Sequence, residues 1–220
     1  MAVRAQARAA IFLDKDGTLL ENVPSNVQPE RIRWSDGAED GVRAFSTGGF
    51  RLFIVSNQSG VARGFFPEEA LGPVRRSLAE RFDSIGAPLD GFYYCPHHPD
   101  ASVPRYRVAC LCRKPGPGLL LRAALEHGID LAASWMIGDI LDDVEAGRRA
   151  GCRTILIGNG NETEWLFSPE RIPDRIATDL RHAARLVEIE GARRPRPALG
   201  GRHDSNVRAT PGVSGPGAQG

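Results

Sequence analysis

The chain has 220 residues, 28 Lys and Arg against 27 Asp and Glu, and a formal net charge of +1. That length buries a sizeable core, and one domain with an appendage suits it better than two. The near balance of charge gives no global field to draw in nucleic acid or a membrane surface, and no apolar run approaches the length of a membrane span, so neither is expected as a partner.

Residues 9–13 form a short apolar run that ends abruptly in Asp14-Lys15-Asp16-Gly17-Thr18. Its length and the later alternation of apolar runs with helical patterns predict a central parallel strand. Side chains two apart on an extended segment leave on the same side, so Asp14 and Asp16 can converge on one substrate or metal. An acidic turn capping the next segment is the plainer alternative. The run is too short for a signal-peptide core, and a cytoplasmic enzyme is the default expectation.

Residues 21–34, with Pro24 and Pro29, read as a loop near the sheet's carboxyl edge. Asp36 is placed to cap a helix over 37–46 that Gly48-Gly49 stops. A β-branched strand over 51–55 runs into Ser56-Asn57-Gln58-Ser59-Gly60, a corner rich in hydroxyl and amide groups. Pro67 opens a helix toward Ile85 that Gly72-Pro73 kinks or delays. A short strand over 92–94 is followed by a Pro-, His- and Cys-containing loop over 95–113 with no helical period. An amphipathic helix over 116–127 ends at Gly128. Then come a strand over 135–137, the acidic corner Gly138-Asp139-Ile140-Leu141-Asp142-Asp143 and a helix closing at Gly151. A strand over 154–157, a short edge strand over 175–177 and a helix over 180–190 complete a domain expected to span residues 1–190. From Gly191 the composition turns to Gly, Pro, Arg and Ser without periodicity, which predicts a disordered, mildly basic tail over 191–220.

Strands alternating with helices predict an α/β doubly wound parallel sheet. Asp14/Asp16, Ser56/Asn57 and Asp139/Asp143 each follow a strand's carboxyl end, where such sheets bind ligands. Arg113-Lys114 immediately precedes a helix N-terminus, which itself attracts anions. Carboxylates for a cation and cations for an anion together point to a metal-assisted phosphate site.

Three of the four cysteines, Cys95, Cys110 and Cys112, cluster with His97 in a spacing that suggests metal rather than disulfides. Three thiolates and an imidazole match a closed, structural zinc site. His98 is a second candidate for the imidazole, and Cys152 reads as a buried thiol.

DxDGT at Asp14 to Thr18, Ser56, Lys114 and GDxxxD ending at Asp143 resemble, in that order, the motifs of the haloacid dehalogenase-like phosphatases. Tyr94-Cys95-Pro96-His97-His98-Pro99 followed by Cys110-Leu111-Cys112-Arg113-Lys114-Pro115 is similar, within them, to the D-glycero-D-manno-heptose 1,7-bisphosphate 7-phosphatases. Histidinol-phosphate phosphatases share these motifs, but the twelve residues between His97 and Cys110 favour the heptose branch. The resemblance implies a doubly wound sheet without a separate cap domain and an aspartyl-phosphate mechanism. Asp14 is then the nucleophile, Asp16 the general acid and base, Ser56 and the following amides hold phosphoryl oxygens, and Lys114 neutralises charge in the transition state. It further implies Mg²⁺ on Asp14, Asp139 and the Asp16 carbonyl, with Asp143 orienting Lys114 or the metal shell.

Substrate contacts are implied at Leu20, Glu21, Asn22 and Val23, at Asn57, Gln58 and Ser59, and at Arg113, with Arg63 a further cation for the distal phosphate. The partner is then a small sugar phosphate, the cofactors are Mg²⁺ and Zn²⁺, and a monomer is expected. The family often carries a Lys where Ile140 stands here.

Overall fold

Alternation along the first two strands sets the layers. In the computed structural model, which describes residues 8–193, β1 (Ala10–Leu13) and β2 (Arg51–Asn57) are buried on both faces. Ile11, Leu13, Leu52 and Ile54 enter one core, and Ala10, Phe12, Phe53 and Val55 enter the other. A strand with two apolar faces must lie between two helical layers.

Four further strands, β3 (Gly91–Cys95), β4 (Trp135–Gly138), β5 (Arg153–Ile157) and β6 (Arg175–Ala177), complete a sheet of order β3-β2-β1-β4-β5-β6. Every pairing in it is parallel. Helices α1 (Ala38–Thr47), α3 (Leu71–Ser84) and α6 (Leu180–Arg193) pack on one face. Helices α4 (Gly118–His127) and α5 (Leu141–Ala150) cover the other, and the short α2 (Ser59–Ala62) sits at the carboxyl edge. The strand order reverses between β1 and β4, so the ligand crevice opens where these two end, at Asp14 and Asp139. The described residues form this one doubly wound unit.

Several boundaries differ from expectation. Gly37, in the left-handed region at φ 70°, occupies the N-cap of α1 without a side-chain cap, so Asp36 does not cap it. The segment after Pro67 is a single 3-10 turn, Glu68–Ala70, and α3 starts at Leu71. Pro73 thus falls in the first turn, where its missing N–H costs nothing. The Ser56 corner is more ordered than a loop, because β2 continues to Asn57 and α2 follows. Helix α4 begins at Gly118, whose N–H donates to the Leu111 carbonyl at 2.9 Å. Helix α6 reaches Arg193, three residues past the expected domain end, and the rest of the anticipated tail lies outside the described residues.

Candidate active site

The first corner is a tight loop. The Gly17 N–H donates to the Leu20 carbonyl at 2.8 Å and the Leu20 N–H to the Lys15 carbonyl at 2.9 Å. Gly17 has φ 87°, and a Cβ there would lie 2.2 Å from Asp139 Oδ2. Glycine therefore lets this turn press against the Asp139 corner, where the Thr18 hydroxyl donates to Asp139 Oδ1 at 3.0 Å. The same turn drives Leu20 into the core at 3 % exposure, so its side chain does not face the cleft as the resemblance implied. Of positions 20–23, exposed Asn22 lines the cleft. Glu21 faces a neighbouring hollow with Thr18 and Asp36, and Val23 is half-buried.

Asp14, Asp16, Asn22, Ser56, Asn57, Lys114, Asp139, Ile140 and Asn161 enclose a cleft of about 200 Å³. Lys114 is buried and its ammonium is held from three sides: it bonds Asp14 Oδ1, donates to the Val55 carbonyl at 3.0 Å and pairs with Asp143 Oδ1 at 2.6 Å. An ammonium has three donors. Two of these are in hydrogen bonds and Asp143 faces the ammonium as an ion pair, so Lys114 acts on the cleft as a buried, held charge. Asn57 aligns it, since its amide donates to the Lys114 carbonyl and accepts from the Lys114 N–H, both at 3.0 Å. Asp143 is fully buried beneath Gly138, where a Cβ would lie 2.2 Å from its carboxyl, and it also accepts from the Ile140 N–H at 3.3 Å. It is spent on orienting Lys114 and starting α5.

These charges conflict. Burial pushes Asp14 up to about 7 against the pull of Lys114, with Asp143 and Asp16 adding to the rise. Burial, then Asp14, pushes Asp139 up to about 6, although Asn161 and Thr18 donate to it. Burial opposes the Lys114 ammonium, but Asp14 and Asp143 outweigh it and hold its pKa above the ordinary value. Buried carboxylates sharing one ammonium leave negative charge for a cation to neutralise.

Ser56 is buried and its oxygen accepts from the Gln58 amide at 2.8 Å. Its own hydroxyl proton remains to be aimed into the cleft. Gln58 is itself buried and its amide also donates to Asp16 Oδ2 at 3.2 Å, so it serves neighbouring protein groups rather than the substrate position implied for it. Beyond Asp16 and Asn57 the cleft continues into a second hollow of about 160 Å³ lined by Gln58, Ser59 and exposed Arg63. Arg113 donates to the Ser59 hydroxyl at 2.7 Å.

On the loop over 95–113, the sulfurs of Cys95, Cys110 and Cys112 lie 3.1 to 3.5 Å apart. His97 Nδ1 stands 3.7 Å from Cys95 Sγ and 3.4 Å from Cys112 Sγ. His98 is outside this group and accepts from the Asp100 N–H at 3.1 Å. All four cysteines are free thiols; Cys152 is buried, which pushes its thiol up to about 12.

The sequence reading missed Asn159 and Asn161. The Asn159 amide donates to the Gly17 carbonyl at 2.6 Å and the Asn161 amide to Asp139 Oδ2 at 2.8 Å. They follow the carboxyl end of β5, and that position was the available signal. A larger cavity of about 750 Å³ lies at the β3 edge, lined by Tyr93, Tyr94, Glu68 and Glu126. Its carboxylates are already occupied, Glu68 by Tyr94 and Tyr106 and Glu126 by Tyr93 and Arg122. The Asp14 cleft is therefore the candidate site.

A parallel doubly wound sheet with Asp14, Asp16, Ser56, Lys114 and Asp139 converging at its switch point defines a haloacid dehalogenase-like phosphatase. Residues 111–183 match the HAD-hydrolase-like family model. A D-glycero-β-D-manno-heptose-1,7-bisphosphate 7-phosphatase from Rhodopseudomonas palustris is 40 % identical over 151 residues, 69 % of this chain and 84 % of the relative. The enzyme of that name from Escherichia coli K12 is 40 % identical over 177 residues, 74 % of this chain and 91 % of the relative. The crystal structure of D,D-heptose 1,7-bisphosphate phosphatase from B. bronchiseptica, complexed with magnesium and phosphate, superposes with a TM-score of 0.66 at 26 % identity, covering 83 % of this chain and 99 % of that one. The chain belongs to the D-glycero-β-D-manno-heptose-1,7-bisphosphate 7-phosphatase family.

Proposed function

We propose that the protein removes the 7-phosphate of D-glycero-D-manno-heptose 1,7-bisphosphate and leaves the 1-phosphate, a step toward nucleotide-activated heptose. The observation that carries the chemistry is the shared cleft of Asp14, Asp16, Lys114 and Asp139; the family relationship carries the substrate.

Both cofactors fit the donor sets. Asp14 and Asp139, with the Asp16 carbonyl, form the all-oxygen set that Mg²⁺ takes, and the raised pKa values of both carboxylates support a divalent cation there. That ion would neutralise charge between Asp14 and the anionic substrate. The three sulfurs and Nδ1 stand 3.1 to 3.7 Å apart in the pairs that touch, up to about 0.6 Å inside the roughly 3.7 Å edges of a tetrahedral zinc site. Zinc would brace the loop that delivers Arg113 and Lys114.

In the first half-reaction an Asp14 oxygen forms a bond to phosphorus and the bond to the sugar oxygen breaks. The electron pair leaves with that oxygen, which takes a proton from Asp16. In the second, Asp16 takes a proton from water as the water oxygen bonds phosphorus and the aspartyl phosphate is cleaved. The Ser56 hydroxyl holds a phosphoryl oxygen, and Lys114 offsets charge on Asp14. We place the enzyme in the cytoplasm, on the metal-type spacing of its free thiols, and take it to act as a monomer; no helix among the described residues is long and apolar enough to cross a membrane.

The test is steady-state phosphate release with Mg²⁺ from both anomers of the heptose bisphosphate, beside histidinol phosphate. A heptose bisphosphate is expected to win by orders of magnitude. Preference for histidinol phosphate would keep the phosphatase and reject the substrate.

A further inference from the structure

The general acid and base is held from both of its oxygens by groups the reaction does not otherwise use. Lys15 stands between Asp14 and Asp16 in sequence, yet it is 2 % exposed, and its ammonium reaches Asp16 Oδ1 at 2.5 Å. A lysine is almost never this buried without a specific partner. On the other oxygen, Oδ2, Asp16 accepts from the Gln58 amide at 3.2 Å. Gln58 is anchored in turn: its N–H donates to the Cys95 carbonyl at 2.8 Å and its amide also donates to Ser56 Oγ. Only the Nε2 side of that amide can face both a carboxylate and the hydroxyl oxygen without repulsion.

The location matters as much as the bonds. Asp16 lines both the Asp14 cleft and the hollow that holds Ser59 and Arg63. Under the function proposed above, on which this inference rests, phosphorus is attacked in the first space and the sugar extends into the second. The bridging oxygen then lies at their junction, where Asp16 is.

We propose that Lys15 and Gln58 are positioning residues that clamp the Asp16 carboxyl group at this junction, so that in its protonated form its proton meets the leaving oxygen. The clamp matters only for a leaving group that needs a proton. A sugar alkoxide needs one as the P–O bond breaks, whereas 4-nitrophenolate departs without it. Because kcat/KM reports phosphoryl transfer to Asp14 and not the later hydrolysis, the ratio of kcat/KM for an alkyl phosphate to that for 4-nitrophenyl phosphate isolates the effect.

The experiment measures that ratio for the metal-loaded full chain with heptose 1,7-bisphosphate and with glycerol 3-phosphate as alkyl substrates. Lys15→Met is expected to lower the ratio by about 10²-fold and Gln58→Leu by about 10-fold, with Lys15→Arg restoring most of it. A ratio unchanged in both Lys15→Met and Gln58→Leu, whether or not both rates fall together, would overturn the clamp. Should Lys15→Met fail to fold, Gln58→Leu and Gln58→Glu decide. Poor wild-type turnover of heptose bisphosphate beside good turnover of glycerol 3-phosphate would reject the substrate assignment alone, because the glycerol ratio still reads the clamp.

Discussion

The Asp14 cleft and the Cys/His loop beside it both crowd like groups together, and they do so by opposite means. In the cleft, Asp14, Ser56 and Asp139 come from strand ends whose backbone is locked in the parallel sheet, and a buried lysine from the turn before α4 offsets part of the charge. In the loop, the donors sit on backbone with one 3-10 turn, Pro104–Tyr106, between His97 and Cys110, and among the described residues no ammonium stands with the sulfurs. The cleft is therefore organised by the fold, while under the proposed zinc site the loop would be organised by what it binds. The two meet at Lys114, two residues after Cys112 and tied to Asn57 on β2 by paired hydrogen bonds.

Removing chemistry from the cleft should leave the fold intact. Asp14→Asn is expected to abolish phosphate release by about 10⁴-fold or more, with the thermal midpoint retained or raised because a buried carboxylate is gone. Loss of the midpoint would mean that the sheet does not hold the cleft. Breaking the loop should do the reverse. In Cys112→Ser, metal analysis should show zinc lost, the thermal midpoint should drop, and activity should fall by about 10- to 100-fold as Arg113 and Lys114 lose their support.

A smaller change tests the contact between the first corner and the Asp139 corner. Gly17→Ala puts a Cβ against Asp139 on a backbone at φ 87°, a strain of about 1 to 3 kcal/mol. The Mg²⁺ concentration for half-maximal activity should rise by about tenfold, as for other disturbed ligand supports. A last test is pH dependence. Asp14 and Asp139 hold protons in the fold up to about 7 and about 6, whereas in the unfolded chain they release them near the ordinary value of 3.8. Between those values the native state binds more protons, so the metal-free protein should lose stability as pH rises from about 4 to about 7 and level off above. Added Mg²⁺ competes with these protons, and its stabilising effect, read as a midpoint shift, should grow over the same window.

Where a catalytic group follows an apolar run, the sequence was easy to read. Asp14, Ser56 and Asp139 each stand at the end of a strand whose residues are buried, and that periodicity is visible without coordinates. The Cys95, His97, Cys110 and Cys112 group was legible from residue type and spacing. Side-chain direction was not. Leu20 looked like a loop residue, but the Gly17 turn folds it inward, and Gln58 looked like a donor for substrate, although Ser56 and Asp16 occupy its amide. Asn161 reaches Asp139 across 22 positions of sequence, a contact set by the β4 and β5 pairing rather than by any local pattern. Asp36 failed as a cap for a related reason: Gly37 can take the left-handed conformation at the N-cap, and the helix starts one residue later than a capping Asp36 requires.

The most direct test is ³¹P NMR of heptose 1,7-bisphosphate incubated with Mg²⁺ and the wild-type chain, with Asp14→Asn alongside. The account predicts loss of the 7-phosphate signal, growth of inorganic phosphate and a persistent 1-phosphate signal in the wild type only. Release of the 1-phosphate first, or equal turnover by Asp14→Asn, would contradict it.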